Sequence, residues 1–268
     1  MQKKIKQISA LLLACILIFS VTACAKKRTP KEVLQASITK SKDMTSADMA
    51  GKAKYKIESS TSSSMNFTMA FTAKVVDSNK DTMKMSMDTS MSVLGQSINF
   101  KMYYSDGYYY MNGNGTKQKI KMNISDMKKQ VENITGSSSI PAKYYTDLKL
   151  SEDDGNQVLS YKLSKDGLNK YVNSLLAQAG SLTGSSDATS ETMDESIKIS
   201  SFSGKRTLDK DDNILKESVK MVMESSTGED GKITISMDIS YKDPGKKVTV
   251  TLPDDLDSYQ EDSSSTAQ

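Results

Sequence analysis

Met65-Asn66-Phe67-Thr68-Met69-Ala70-Phe71-Thr72-Ala73-Lys74-Val75 alternates apolar and polar side chains with a period of two, and that period decides the fold. Successive side chains of a strand point to opposite faces, so Met65, Phe67, Met69, Phe71, Ala73 and Val75 share one face while Asn66, Thr68 and Thr72 share the other. The same beat continues in Met83, Met85, Met87, Met91 and Val93, interleaved with Lys84, Ser86, Asp88, Ser90 and Ser92. One face is apolar and the other wet, the pattern of an antiparallel sheet packed on one side only. Upstream, Tyr55 and Ile57 open the first strand, and a turn at Ser59 to Ser64 leads from it to Met65. Downstream, Gly95-Gln96 breaks the run, and Ile98, Phe100, Met102 and Tyr104 resume it. Asp106-Gly107 signals a hairpin into Tyr108 to Met111, and Asn112 to Thr116 turns the chain again towards Ile120 and Met122.

Helical spacing replaces alternation in three places. Thr29-Pro30-Lys31-Glu32 carries an N-cap, a proline at the first helical position and a glutamate placed for a capping box, ahead of Val33, Leu34 and Ile38. This predicts a helix of about three or four turns ending near Asp43. A short helix is predicted from Ser125, with Met127, Val131 and Ile134 on one face. The third, with Ser164 as N-cap, sets Leu168, Tyr171, Val172, Leu175, Leu176 and Ala179 on one stripe, stopped by Gly180. Leu148 to Leu163 forms a hairpin about Asp153 to Asn156. Residues 180–196 read as a loop rich in Ser, Thr and Gly. The last third reads as a meander of Ile197 to Leu208, Val219 to Met223 and Ile233 to Tyr241. A closing strand over Val248, Val250 and Leu252 follows, then an acidic polar tail with nothing to bury.

The first 23 residues differ in kind. Lys3, Lys4 and Lys6 precede an apolar run from Ile8 to Phe19, too short for a comfortable membrane span, and Val21-Thr22-Ala23-Cys24 follows. Charge, apolar run, small residues and cysteine in that order look like a bacterial lipobox. Cys24 is then the acylated first residue of the mature protein, and Lys26, Lys27 and Arg28 sit at the headgroups or form a short solvated tether. The expected address is the outer face of the cell membrane, lipid-anchored. The other cysteine, Cys15, leaves with the leader, so no disulfide is expected.

The remaining 245 or so residues suffice for one large domain. With a net charge of +3, part of it from leader lysines, nothing favours nucleic acid. Histidine is absent, which removes the commonest general base and the commonest metal ligand. Neither a metal, a cofactor nor an enzymatic activity is expected. Asp209, Asp211 and Asn213 match the start of a calcium loop, but Ile214 stands where glycine is required and Lys220 where the bidentate glutamate belongs. A turn explains these residues. Ser125 and Lys128 have the spacing of an acyltransferase nucleophile and its lysine, without the companion motifs.

Seventeen methionines, many at positions where strands ordinarily carry Val or Ile, are the most informative oddity. Two readings stand: a wide, adaptable lining for acyl chains, or an ordinary core filled with flexible side chains. Under the first, the candidate lining is Met83, Met85, Met87, Met91, Phe67 and Phe71. Tyr103-Tyr104, Tyr108 to Tyr110 and Tyr144-Tyr145 either rim a cavity or sit half-buried at a sheet edge.

The lipobox, one N-terminal helix running into a long meander, helices in the middle, and the closing Ile239-Ser240-Tyr241 to Lys246-Lys247-Val248-Thr249-Val250-Thr251-Leu252-Pro253 resemble LolA/LppX-like lipoproteins. More narrowly, they resemble an uncharacterised Gram-positive branch of that superfamily. The resemblance implies an α+β fold: a strongly curved antiparallel sheet, an unclosed half-barrel, with helices across its concave face and an apolar cavity between. The organisation expected is a signal peptide at 1–23, the acylated cysteine and tether at 24–28, a single domain at 29–255 and a disordered tail at 256–268. A membrane-anchored holder of an apolar ligand, lipid or acyl chain, is the function implied. The alternative is an anchored structural or sensor module that binds another envelope protein through a sheet edge or its tyrosines.

Overall fold

The computed structural model describes residues 27–59, 64–93, 95–128, 140–173, 197–225 and 231–261; the leader, Cys24 and the tip of the tail lie outside them. Helix α1, Pro30–Asp43, starts as its sequence dictates. The Thr29 hydroxyl accepts from the Glu32 amide at 3.2 Å, and the Glu32 carboxylate accepts from the Thr29 amide at 2.7 Å. Val33, Leu34, Ser37 and Ile38 form its buried stripe.

Eleven strands then follow: β1 Ala47–Glu58, β2 Met65–Val76, β3 Lys84–Val93, β4 Gln96–Ser105, β5 Tyr108–Gly113, β6 Thr116–Lys121, β7 Tyr145–Asp153, β8 Asn156–Leu163, β9 Ile197–Leu208, β10 Ile214–Ser225 and β11 Lys232–Tyr241. A two-residue β12, Gln260–Glu261, ends the series. All lie in one sheet ordered β12-β6-β5-β4-β3-β2-β1-β11-β10-β9-β8-β7. Every neighbour is antiparallel except β12, which runs parallel to β6. Three hairpins turn on Asp106-Gly107, Asn114-Gly115 and Asp154-Gly155, with both residues at positive φ. That conformation matches the strand twist and asks for Asn or Asp followed by Gly.

Two short helices sit between strands: α2 at 124–128, capped by Asn123 whose side chain accepts from the Asp126 amide at 2.9 Å, and α3 at 165–173, capped by Ser164. Residues 129–139 and 174–196, with the rest of both predicted helices and the predicted loop, lie outside the described residues. The architecture is mostly β, one open mixed sheet with few helices.

Three expectations are corrected. The sheet is open, as expected, but it is not strongly curled. Val248 to Leu252 is not a strand: β11 already has β1 on one side and β10 on the other, so no free ladder remains beside it. Nor do residues 254–261 have nothing to bury. The turn Leu256–Ser258 leads to Tyr259, which is 4% exposed and meets Tyr110 edge-on at 5.4 Å. Lys117 pairs with Asp255 and donates to the Ser258 hydroxyl. The tail segment therefore covers the β6 edge, which would otherwise offer unpaired backbone groups.

Candidate functional site

Cross-strand register defines one apolar face. In one row, Tyr241, Met49, Ala73, Met87, Met102 and Met111 stand directly opposite one another from β11 to β5. The next row in one direction holds Val75, Met85, Tyr104 and Tyr109. In the other direction come Ile239, Gly51, Phe71, Thr89, Phe100 and Gly113; then Met237, Ala53, Met69, Met91 and Ile98; then Ile235, Tyr55, Phe67 and Val93; and finally Ile233, Ile57 and Met65.

Burial changes along the strands. At the end where β1 begins and β2 finishes, helices cover the face. Val33, Leu34 and Ile38 of α1, with Tyr171 and Val172 of α3, close a first core over Met49, Ala73, Leu159, Tyr161, Phe202, Leu208, Val219 and Met221. Met127 of α2 closes a second core over Val75, Met83, Met85, Met102, Tyr104 and Tyr109. Beyond Ala73 the face opens. Phe67, Met69, Phe71, Met91, Val93, Ile98, Ile233 and Ile235 are only half-buried, while Phe100 is 37% and Met65 43% exposed.

The rings there lie flat. A Cβ added at Gly51 would sit 2.2 Å from the Phe71 ring, and one at Gly113 2.9 Å from Phe100, so each ring covers the glycine opposite it. Tyr55 and Phe67 stack at 4.2 Å and 8°. The Thr89 hydroxyl, between Phe71 and Phe100 in its row, is buried without a hydrogen-bond partner.

The structure therefore divides the candidate lining. Met83 and Met85, at 1% and 2% exposure, belong to the second core. Met87 touches both cores, and Phe67, Phe71 and Met91 lie on the open stretch. The alternation of β2 is sharp at Thr72, Ala73, Lys74 and Val75 and fades towards Met65, where neither face is covered. A groove of about 450 Å³ lies elsewhere, on the solvent side of α1 between Glu32, Gln35, Thr39, Asp43 and Asp212, and none of the candidate methionines lines it.

The tyrosines do not form one rim. Tyr104 and Tyr109 point into the second core, and burial pushes the Tyr109 hydroxyl up to about 12. Tyr108 and Tyr110 point to the other face, where Tyr110 meets Tyr259 and the Lys119 ammonium lies 5.4 Å from the Tyr108 ring. Ser125 and Lys128 are not coupled either: the Ser125 hydroxyl donates to Asn123 at 2.6 Å, and the Lys128 ammonium to the Asn79 carbonyl at 3.2 Å. The Asp209 carboxylate accepts from the Asp211 and Asn213 amides, both at 2.9 Å, which is a turn.

Sequence reading missed a buried ionic network beneath α1. Arg206 is fully buried and Glu217 is 3% exposed. Arg206 Nε and the Tyr161 hydroxyl both donate to Glu217 Oε1, at 2.9 and 2.5 Å. Arg206 Nη2 donates to the Tyr145 hydroxyl at 2.9 Å, and Nη1 reaches Ser37 of α1 at 3.5 Å. Burial pushes the Tyr145 hydroxyl up to about 12. The signal was available: Phe202, Gly204, Arg206 and Leu208 share one phase of β9, as Glu217, Val219 and Met221 do in β10, so both charges fall on the apolar face.

Residues 29–260 match the profile of a family described as "Family of unknown function (DUF6612)". A search of curated proteins finds no match. Among solved structures, the chain is similar to the lipoprotein LppX of Mycobacterium tuberculosis, at 10% identity and a TM-score of 0.46 over 83% of this chain and 98% of that one. It is similar to LprF of Mycobacterium bovis, at 10% identity and 0.45 over 84% and 96%. A LolA superfamily protein of Nitrosomonas europaea matches at 10% identity and 0.24 over 83% and 96%.

Proposed function

The chain belongs to the family of unknown function DUF6612, and from its geometry we propose that it is a lipid-anchored extracytoplasmic protein holding an apolar ligand, an acyl chain, on the open stretch of the sheet face. The observation that carries this reading is the half-buried strip itself. From Ile235 through Tyr55, Phe67, Met69 and Met91 to Ile98 and Phe100, apolar side chains run across adjacent strands without a polar residue except Thr89. From β11 to β4 the strip spans roughly 19 Å, at about 4.8 Å per strand. That is long enough for an acyl chain, since a whole bilayer core of two opposed chains is about 30 Å thick. The lone Thr89 hydroxyl supplies the kind of single polar contact that orients a ligand in an apolar site.

The anchor follows from Cys24, three residues before Lys27. Arg28 is pinned to Asp212, in the turn between β9 and β10, at 2.6 Å. With Cys24 acylated, this contact favours an orientation in which the helix-covered end of the sheet faces the membrane and the open strip lies at the far end. Among the described residues no helix is long and apolar enough to cross a membrane.

Recognition of a partner through a sheet edge has less in its favour. β12 occupies the β6 edge, and β7 at the other edge carries a register shift between Thr146 and Lys149 with Asp147 at φ 52°.

A fluorescent fatty-acyl probe titrated into the full chain tests the ligand. Met91→Gln should weaken probe binding while the denaturation midpoint holds. Failure of the unaltered protein to bind the probe would remove the carrier reading. For the anchor, Cys24→Ala should release the protein from the membrane fraction; a variant that stays bound and is processed at the same position would exclude lipidation.

A further inference from the structure

We propose that Met87, Met102 and Met111 form a thioether site for one soft monovalent cation, Cu(I) in chemical class. The three occupy directly opposed positions on β3, β4 and β5. Opposed residues on one face bring their Cβ atoms to about 4.5–5.5 Å. Met87 and Met111 flank Met102 about 10 Å apart, two strand spacings, and rotation about the first two side-chain bonds of each lets the outer sulfurs reach in beside that of Met102. Met102 is 6% exposed, whereas Met87 and Met111 are half-buried, so an ion can enter from the open stretch and be held against the covered one.

The surroundings favour a soft ion. Among the described residues, seven of the eleven side chains of this second core are methionines, the remaining four thioethers being Met83, Met85, Met122 and Met127. Thioethers select Cu(I) and bind zinc, calcium and magnesium poorly, because sulfur without charge is a soft, weak donor. Histidine, which would draw Cu(II) or Zn(II), is absent from the chain. No cluster of three His, Cys, Asp or Glu able to hold a metal occurs among the described residues either. The expectation that no metal binds rested largely on those donors and does not reach thioethers. A positive ion here also has partners for its charge. Tyr104 and Tyr109 fill the adjacent row. The site is independent of the acyl ligand and stands whether or not the strip binds one.

The probe is Ag(I), a redox-inert mimic of Cu(I), added as the nitrate in chloride-free buffer to the full chain carrying Cys15→Ser and Cys24→Ser, which removes the competing thiols, and followed by calorimetry and native mass spectrometry. One Ag(I) should be retained per chain. Met102→Leu conserves volume and removes the sulfur; it should weaken binding by about tenfold or more, and the triple Met87→Leu, Met102→Leu, Met111→Leu should abolish it. Met49→Leu, in the other core, should bind as the unaltered protein does. Methionine methyl NMR of the unaltered protein guards against a variant that fails to fold: Ag(I) should shift the Met87, Met102 and Met111 methyls most. Absence of retained Ag(I), a triple variant that is folded and binds undiminished, or the largest shifts at other methionines would each overturn the proposal.

Discussion

Among the described residues, only Met49 and Met221 of the twenty buried in the core under α1 and α3 are methionines, whereas in the core under α2 four of the seven are. One sheet thus carries two interiors of different character. The first is filled by branched and aromatic side chains around the Arg206–Glu217 pair, whose hydrogen bonds allow one docking of helix on sheet. The second is filled by unbranched, polarisable side chains that settle into many shapes at similar cost. Directed bonds make the first core specific, and their lack makes the second accommodating.

The largest test of this contrast removes Glu217. Glu217→Ala leaves Arg206 buried without its carboxylate, and the stability in urea should fall by about 3–5 kcal/mol; a loss under about 1 kcal/mol would mean that the pair does not organise the first core. Next comes a buried amide in the second. Met85→Gln should cost about 1–3 kcal/mol, while Met91→Gln on the open strip should cost less than about 0.5 kcal/mol. Equal losses would erase the distinction between covered and open face.

Two glycine substitutions sharpen the comparison within a single chemistry. A Cβ at Gly204 would lie 2.1 Å from the Tyr161 ring, which is 4% exposed and bonded to Glu217. Gly204→Ala should therefore cost about 1–3 kcal/mol. Gly51→Ala meets Phe71 as closely, but that ring is half-buried and can swing away, so its effect on the thermal midpoint should be visibly smaller. One further effect, confined to alkaline pH, is shared by the two cores. Tyr145 in the first and Tyr109 in the second both titrate near 12 instead of 10, because burial disfavours phenolate. The folded state then holds a proton that the unfolded chain gives up near pH 10. The contribution is intact below pH 10 and is lost as pH rises towards 12. Absorbance at alkaline pH should show both phenols ionising only as the protein unfolds.

Much of this was legible in the sequence because period and turn chemistry are local. The Met65 to Val75 strand, the Asp106-Gly107 hairpin and the Thr29 to Glu32 capping box each depend on residues a few positions apart, and each forms as read, although alternating burial is sharp only from Thr72 to Val75. What failed depends on distant neighbours. Val248 to Leu252 has strand composition, but whether a ladder is free beside β11 is decided by β1 and β10. Tyr259 looked like part of a solvated tail because its partner, Tyr110, lies far back in the chain. As for the candidate site, alternation identified the apolar face correctly, but it cannot tell which end of that face a helix covers. It therefore grouped Met85 with Met91 although one is buried and the other is not.

The place of β1 has a consequence for how the chain assembles. Strands β1 to β6 join through successive short connections and can pair as they are synthesised, each meeting a neighbour just made. The other flank of β1, from Met49 to Glu58, pairs only with Lys232 to Tyr241. Through all the intervening synthesis the central strand has a bare edge, and the second half of the sheet must be built and then zipped onto it. The β1–β11 seam, with the highest sequence separation among the long pairings, is where folding should be slowest. It is also where a nascent chain most needs protection from pairing with another copy of itself.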